Sequence, residues 1–284
     1  MTKLERTQNV IDLFFKDNEA RFAKETTRAY RAAMKQFFTQ CNKQYDEVRV
    51  KDIRAWLSYL DECGLKPRSI HLKLASLKSF YRYCLEENLI NKVPTTNIDP
   101  PKLEDSLPFY LSKQVLAQLM EITKDDLRDR ALIESLYTTG VRISELLNIK
   151  LDDIKWDTRQ IWIRKGKGNK ERFVLFSTEC AVRLKKYLDT RTVRSPYLFA
   201  NEKGNPLSRS WAELKFRVFT KGLNMEHRIT PHTLRHTFAA HLAEKDMPQS
   251  YIQELLGHVN INTTRIYTRL NTKARKIQYD TYQI

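Results

Sequence analysis

Residues 229–242 read ITPHTLRHTFAAHL and set His232, Arg235, His236 and His241 within one short run. Thr230 is a good helix N-cap and Pro231 suits the first helical position. A helix starting there places His232 and Arg235, three residues apart, on one face near its N-terminus. Backbone amides and the helix dipole favour anions at such an end. A guanidinium is a planar fork that matches two phosphate oxygens, and an imidazole exchanges a proton near neutral pH. The chemistry on offer is therefore phosphate binding with proton transfer. The plain alternative is a polar helix face with His232 hydrogen-bonded in a cleft. His232 and His236 also have zinc-ligand spacing, but no HExxH glutamate or nearby carboxylate completes a site, so no metal is expected.

Three further segments carry residues of the same kind. In TTGVRISELLNIK, Arg142 follows the Gly140 break between two helices, and Glu145 lies three residues on, placed to orient it. In the glycine-rich tip GKGNKER, Lys165, Lys167 and Lys170 crowd a turn fit to enter a DNA groove, or simply to be solvated. In ELLGHVNINTTRIYTRL a helix ends at Gly257, His258 is exposed, and Tyr267 sits on a following helix near 263–269. Taken singly, each of these is as well explained by surface charge or ordinary packing.

The elements that must position them follow from periodicity and punctuation. Residues 94–108, PTTNIDPPKLEDSLP, hold four prolines, which lack an amide donor and restrain the residue before them. This stretch reads as a linker, dividing the chain into residues 1–93 and 109–284. The first part reads as all-helical. Tyr30, Met34, Phe37, Phe38 and Cys41 recur at helical spacing behind a cap at Thr26 or Thr27, as do Ile70, Leu74, Leu77, Tyr81 and Cys84. The opposite faces carry Arg28, Arg31 and Lys35, then Lys73, Lys78 and Arg82, which are candidate phosphate contacts. The second part mixes helices with a small sheet. A helix with Leu132 and Leu136 ends at Gly140. A β-hairpin follows, in which Ile161 and Ile163 alternate, KGKGNK turns, and Phe173 and Leu175 alternate back. Helices are expected around 179–189, 208–221, 231–245 and 248–256. The fold class is mainly α with a small β-sheet.

Composition narrows the partner. The 284 residues carry 50 Lys and Arg against 34 Asp and Glu, a net charge of +16. Residues 1–105 hold 19 basic and 15 acidic side chains, and the rest hold 31 and 19, so the field is concentrated in the second part. An excess of this size points to a polyanion, with nucleic acid ahead of an anionic membrane surface. No run of 18 apolar residues exists and the N-terminus lacks a signal-peptide core, so a cytoplasmic, membrane-free protein is expected. The four cysteines are scattered and read as reduced thiols.

Arg142 in TGVRISEL, Lys167 in GKGNKER, the HTLRH box, LGH and IYT stand in an order and spacing that resembles the tyrosine site-specific recombinases, among them phage integrases and Xer-type enzymes. The resemblance spans the chain and implies a helical, SAM-like core-binding domain joined to an α+β catalytic domain. It implies Tyr267 as nucleophile, with Arg142 and Arg235 clamping the scissile phosphate and His258 donating a further hydrogen bond. It gives Lys167 the protonation of the departing 5′ oxygen and His232 assistance in proton transfer from Tyr267. The physics agrees. A tyrosine with a pKa of about 10 needs a base and a positive site to act as nucleophile. One preorganised donor to a developing anion is worth on the order of 3 kcal/mol. No carboxylate cluster fits two magnesium ions, and a phosphotyrosyl link conserves bond energy, so neither cofactor nor ATP is expected.

The resemblance further implies double-stranded DNA sites as partner, a homotetramer on paired sites, and strand exchange through a Holliday junction. The tail after Tyr267, with Ile277, Tyr279 and Tyr282, would dock on a neighbouring protomer, the plain alternative being a frayed terminus. Resolution of cointegrates or multimers of a mobile element is the expected task, with a phage-type integrase as the alternative. Two other classes stay open on the residues alone. A metal-dependent nuclease would lose activity in EDTA, and a catalytically silent DNA-binding protein would be indifferent to Tyr267→Phe. A type IB topoisomerase would relax supercoils without paired sites.

Overall fold

The computed structural model describes residues 3–102, 108–164 and 171–257. Lys165, Lys167, Lys170, His258, Tyr267, the helix expected at 263–269 and the tail beyond it lie outside the described residues. The chain divides into two compact units, Met1–Asp105 and Ser106–Ile284.

The first unit contains α1 (Lys3–Asp17), α2 (Lys24–Cys41), α3 (Val50–Glu62) and α4 (Pro67–Glu86). The apolar period works as expected: Met34, Phe37 and Phe38 of α2 and Ile70, Leu74, Leu77, Tyr81 and Cys84 of α4 are buried together, with Tyr30 and Cys41 at the margin. Aromatic edges lock the helices, Phe80 meeting Phe14 at 5.7 Å and Phe38 at 5.9 Å between ring centroids. The start of α2 differs from the sequence reading. The helix begins at Lys24 with Ala23 as an N-cap that makes no side-chain bond. Thr26 and Thr27 therefore lie inside the first turn, and the Thr27 hydroxyl donates back to the Ala23 carbonyl at 3.3 Å. Glu25 in that turn puts a negative charge where the helix dipole favours one. The core also reaches Ile98, within the proline-bearing stretch, because this apolar side chain packs back onto it.

The second unit contains α5 (Lys113–Ile122), α6 (Leu127–Thr139), α7 (Ile143–Leu147), β1 (Ile154–Lys155), β2 (Gln160–Ile163), β3 (Arg172–Leu175), α8 (Thr178–Thr190), α9 (Arg209–Gly222), α10 (Pro231–Glu244) and α11 (Gln249–Leu256). A 3₁₀ turn, Leu151–Asp153, leads into the sheet. The strands form an antiparallel sheet in the order β1-β2-β3. Ile161 and Ile163 face the core as read, but the return strand is offset by one residue. Val174 opposite Ile161 is buried, whereas Phe173 and Leu175 are exposed. With a side-chain period of two, one residue decides the face. The outward Phe173 stays exposed but is flanked by its cross-strand partner Trp162, 4.1 Å between centroids, and by the Lys155 ammonium.

Helices α6 and α10 are the buried axis of this unit. Each is buried round most of its circumference: Ser135 of α6 meets Cys180 Sγ of α8 at 3.7 Å, and Phe238 of α10 packs against Gly140 at the end of α6. Such helices hold their residues rigidly, which suits them to carry a site. Among the described residues no helix is long and apolar enough to cross a membrane.

Candidate phosphate-binding cleft

The cleft is built where three helix ends meet. Helix α6 closes on Gly140, whose φ of +61° is the left-handed cap conformation. Two residues later Arg142 is the N-cap of α7. Its backbone N–H donates to Glu145 Oε2 at 2.9 Å, and its Nη1 donates to Oε1 of the same carboxylate at 2.8 Å. The guanidinium of Arg142 is thus aimed by Glu145, as the three-residue spacing predicted.

Helix α10 starts as the sequence indicates. The Thr230 hydroxyl accepts from the Thr233 N–H at 3.0 Å, with Pro231 in the first turn. Arg235, one turn in, is 2 % exposed. Its Nη1 donates to the Gly140 carbonyl at 2.6 Å and its Nη2 to the Leu256 carbonyl at 2.7 Å. One guanidinium therefore ties the end of α6 to the end of α11. A buried cation held by carbonyls at both corners is fixed in direction, and its charge is poorly screened.

The cleft these residues line has a volume of about 530 Å³. Arg142, Arg235 and the exposed His232 stand on its wall with two arginines that sequence reasoning missed, Arg209 and Arg228. Among the described residues that line it, four guanidinium groups stand against one carboxylate, Glu213, which accepts from Arg209 at 3.2 Å. The electrostatics favour an anion. Arg209 had a legible signal: a cation at the first position of α9 opposes the helix dipole and calls for another reason to be there. Arg228 had none beyond its charge.

A third missed residue is Arg172 on β3. Its Nη1 and Nη2 donate to the two oxygens of Glu145 at 3.1 and 2.8 Å. Burial pushes the Glu145 carboxyl up, but the hydrogen bonds from Arg172 and Arg142 outweigh it and hold the group below the usual carboxylate range. Its charge is kept.

The histidines of the opening run separate. His232 faces the cleft, and His236 lies ring-to-ring with it at 4.7 Å between centroids. His241 is a structural residue, buried between the Leu111 carbonyl and the Tyr137 hydroxyl, each 3.0 Å away. Among the described residues no three His, Cys, Asp or Glu side chains converge as a metal-ligand set. On the first unit, Arg28, Lys35, Lys78 and Arg82 are exposed. Arg31 is exposed too, but is engaged by Asp12 at 2.5 Å and stacks on Phe15. Lys73 is half-buried and donates to Gln36, and burial lowers its pKa.

Comparison with known proteins identifies the family. The phage integrase family profile matches residues 110–274, and the profile of the phage integrase N-terminal SAM-like domain matches residues 11–88. Tyrosine recombinase XerD of Rickettsia bellii is 36 % identical over 282 residues, covering 91 % of this chain and 92 % of the relative. Tyrosine recombinase XerC of Staphylococcus carnosus is 34 % identical over 268 residues, covering 90 % of each. The crystal structure of XerH site-specific recombinase bound to palindromic difH substrate, a post-cleavage complex, shares the fold at a TM-score of 0.76 and 23 % identity, covering 98 % of this chain and 85 % of that one. With a family match over more than half its length and full-length relatives of one kind, the chain belongs to the phage integrase family and is a Xer-type tyrosine recombinase, a DNA strand-transferring enzyme of site-specific recombination.

Proposed function

We propose that the cleft receives the scissile phosphate of a double-stranded recombination site and that Tyr267 attacks it, leaving a 3′-phosphotyrosyl link and a free 5′ hydroxyl. The observation that carries this is the pairing of Arg142 and Arg235 on one wall, each oriented by fixed partners, with His232 beside them at the start of α10. Two guanidinium groups neutralise the two non-bridging oxygens and the charge that grows on them in the transition state. His232 takes the tyrosine proton, His258 adds a hydrogen bond and Lys167 protonates the departing 5′ oxygen. Rejoining reverses the step with the incoming 5′ hydroxyl. Metal and nucleotide have no part in it.

The wider reading follows from the same family. Four protomers bring two sites together and exchange strands in pairs through a Holliday junction. The segment bearing Ile277, Tyr279 and Tyr282 docks on the next protomer. The helical first part (1–93) and the catalytic part (109–284) grip the duplex, joined by 94–108, with Arg28, Lys35, Lys78 and Arg82 better placed for phosphates than the engaged Arg31 and Lys73. The task is resolution of multimers or cointegrates of a mobile element in the cytoplasm. Its support is that full-length relatives at 34 and 36 % identity are Xer recombinases.

The test is covalent trapping. The protein is incubated in EDTA with a supercoiled plasmid carrying DNA from around its own gene, quenched with SDS, and scored for protein fixed to DNA. An adduct from wild type and none from Tyr267→Phe is expected. Failure to trap on a nicked suicide duplex as well, with binding intact, would leave a binding protein and overturn the reading. Two sites on one plasmid, set against two on separate plasmids, then separate resolution from integration.

A further inference from the structure

We infer that Arg172 is a positioning residue for cleavage, acting through Glu145 on Arg142. The inference rests on Arg142 being a phosphate clamp, as proposed above.

Glu145 is almost fully buried and takes four hydrogen bonds. Two come from the backbone and side chain of Arg142 and two from the fork of Arg172. If the carboxylate had Arg142 as its sole partner, the pair would be neutral and the guanidinium drawn fully onto the acid. With Arg172 on the same two oxygens, one negative charge is shared between two cations. The trio keeps a net positive charge, and Arg142 is aimed without being quenched. Arg142 has the more exposed side chain of the two, 24 % against 13 %, and it alone lines the cleft.

Arg172 also meets the other side of the site. Its Nε reaches the Leu255 carbonyl at 3.5 Å. A Cβ on Gly257 would lie 2.9 Å from its Cδ and Nε, so the side chain lies directly over the glycine that ends α11 at φ +63°. One guanidinium therefore fixes β3, the N-terminus of α7 and the C-terminus of α11 against one another. In sequence these lead to Lys167, Arg142 and His258. What sets this bridge apart is that its carboxylate is the one that holds the Arg142 backbone and side chain.

The experiment uses the full chain and a nicked duplex containing the site mapped by covalent trapping. Site affinity and the single-turnover rate of adduct formation are measured for wild type, Arg172→Lys, Arg172→Ala, Glu145→Gln and the double variant Glu145→Gln/Arg172→Ala. Arg172→Ala is expected to slow adduct formation about 100-fold, the scale of a misaligned catalytic group, with affinity within about 2-fold of wild type. Arg172→Lys, which keeps the charge without the fork, falls between, and it carries the comparison if the alanine variant fails to fold. The double variant is no slower than the worse single variant, because Arg172 acts through Glu145. A wild-type rate in Arg172→Ala, an affinity loss matching the rate loss, or multiplying effects in the double variant would each overturn the inference and leave the recombinase reading intact. No Tyr267-dependent adduct from wild type would remove the reading itself, and the inference with it.

Discussion

Gly140 joins the fold to the site, and replacing it by alanine measures how tightly. Two costs are separable. At φ +61° an L side chain sits in the left-handed region, which costs roughly 1–2 kcal/mol. The new Cβ would also lie 2.3 Å from Cδ1 and 2.6 Å from Cε1 of Phe238. That ring is 8 % exposed and packed in a cluster with Ile252 and Leu256, so it cannot swing away. Forcing it aside is overpacking, worth about 1–3 kcal/mol. The sum is about 2–5 kcal/mol, or roughly 5 to 15 °C in the melting of a unit this size. The consequence reaches the cleft. The Gly140 carbonyl accepts from Arg235, and Phe238 stands three residues beyond Arg235 on α10, so the strain displaces both the acceptor and the helix that carries the donor.

The assay is urea unfolding followed by tryptophan fluorescence in a Trp56→Phe background. Trp156, Trp162 and Trp211 then report on the second unit alone, and Trp56 gives up an indole Nε1 that has no hydrogen-bond partner among the described residues. Gly140→Ala is measured with Phe238 present and with Phe238→Ala. With the ring gone, only the conformational cost of about 1–2 kcal/mol should remain. A cost below about 1 kcal/mol with Phe238 in place, or an equal cost in both backgrounds, would refute the close approach as the reason for this glycine.

Two other predictions use the same preparation. Arg235→Lys keeps the charge but cannot hold the Gly140 and Leu256 carbonyls with one planar fork. A loss of about 2–4 kcal/mol in unfolding is expected, with adduct formation reduced at least about 100-fold. A variant that unfolds like wild type would mean the fork is not holding both ends. His241 is held neutral: burial lowers its pKa, and the Leu111 carbonyl can only accept, so Nε2 carries the proton and Nδ1 accepts from Tyr137. Because the folded value lies below the unfolded 6.5, the contribution of His241 is fully present above pH 6.5 and is lost as pH falls through the folded value. His241→Gln should flatten the fall in melting temperature between pH 7.5 and 5, and an unchanged slope would count against a neutral, buried ring.

What the sequence made legible follows from how local each signal is. The start of α10 was readable because Thr230 and Pro231 are local cap chemistry, and the grip of Glu145 on Arg142 because it spans three residues. The core of the first unit was readable because its helices each bury one stripe. The face of β3 was not. With Phe173, Val174 and Leu175 all apolar, alternation alone cannot say which point inward, and the pairing of Val174 with Ile161 decides it. The cap of α2 failed for a related reason: two threonines suit the chemistry, but a helix needs no side-chain cap where Glu25 and the flanking backbone suffice.

Arg172 was out of reach for a deeper reason. In the sequence it is the last charge of a basic turn, 27 residues from the carboxylate it binds, and neither periodicity nor capping links the two. Only the fold brings β3 against the start of α7. The same holds for the acceptors of Arg235, which are main-chain carbonyls 95 and 21 residues away. The motif residues of this cleft announce themselves by type and spacing, but the groups that fix their direction are identified by contact alone. Since the second of two equally charged arginines is useful to a phosphate only if it points the right way, the contacts decide whether a matching motif is a working site. Substitutions that leave all six motif residues in place, at Gly140 and Arg172 in this chain, are therefore the sharper test of whether cleavage depends on residue identity or on aim.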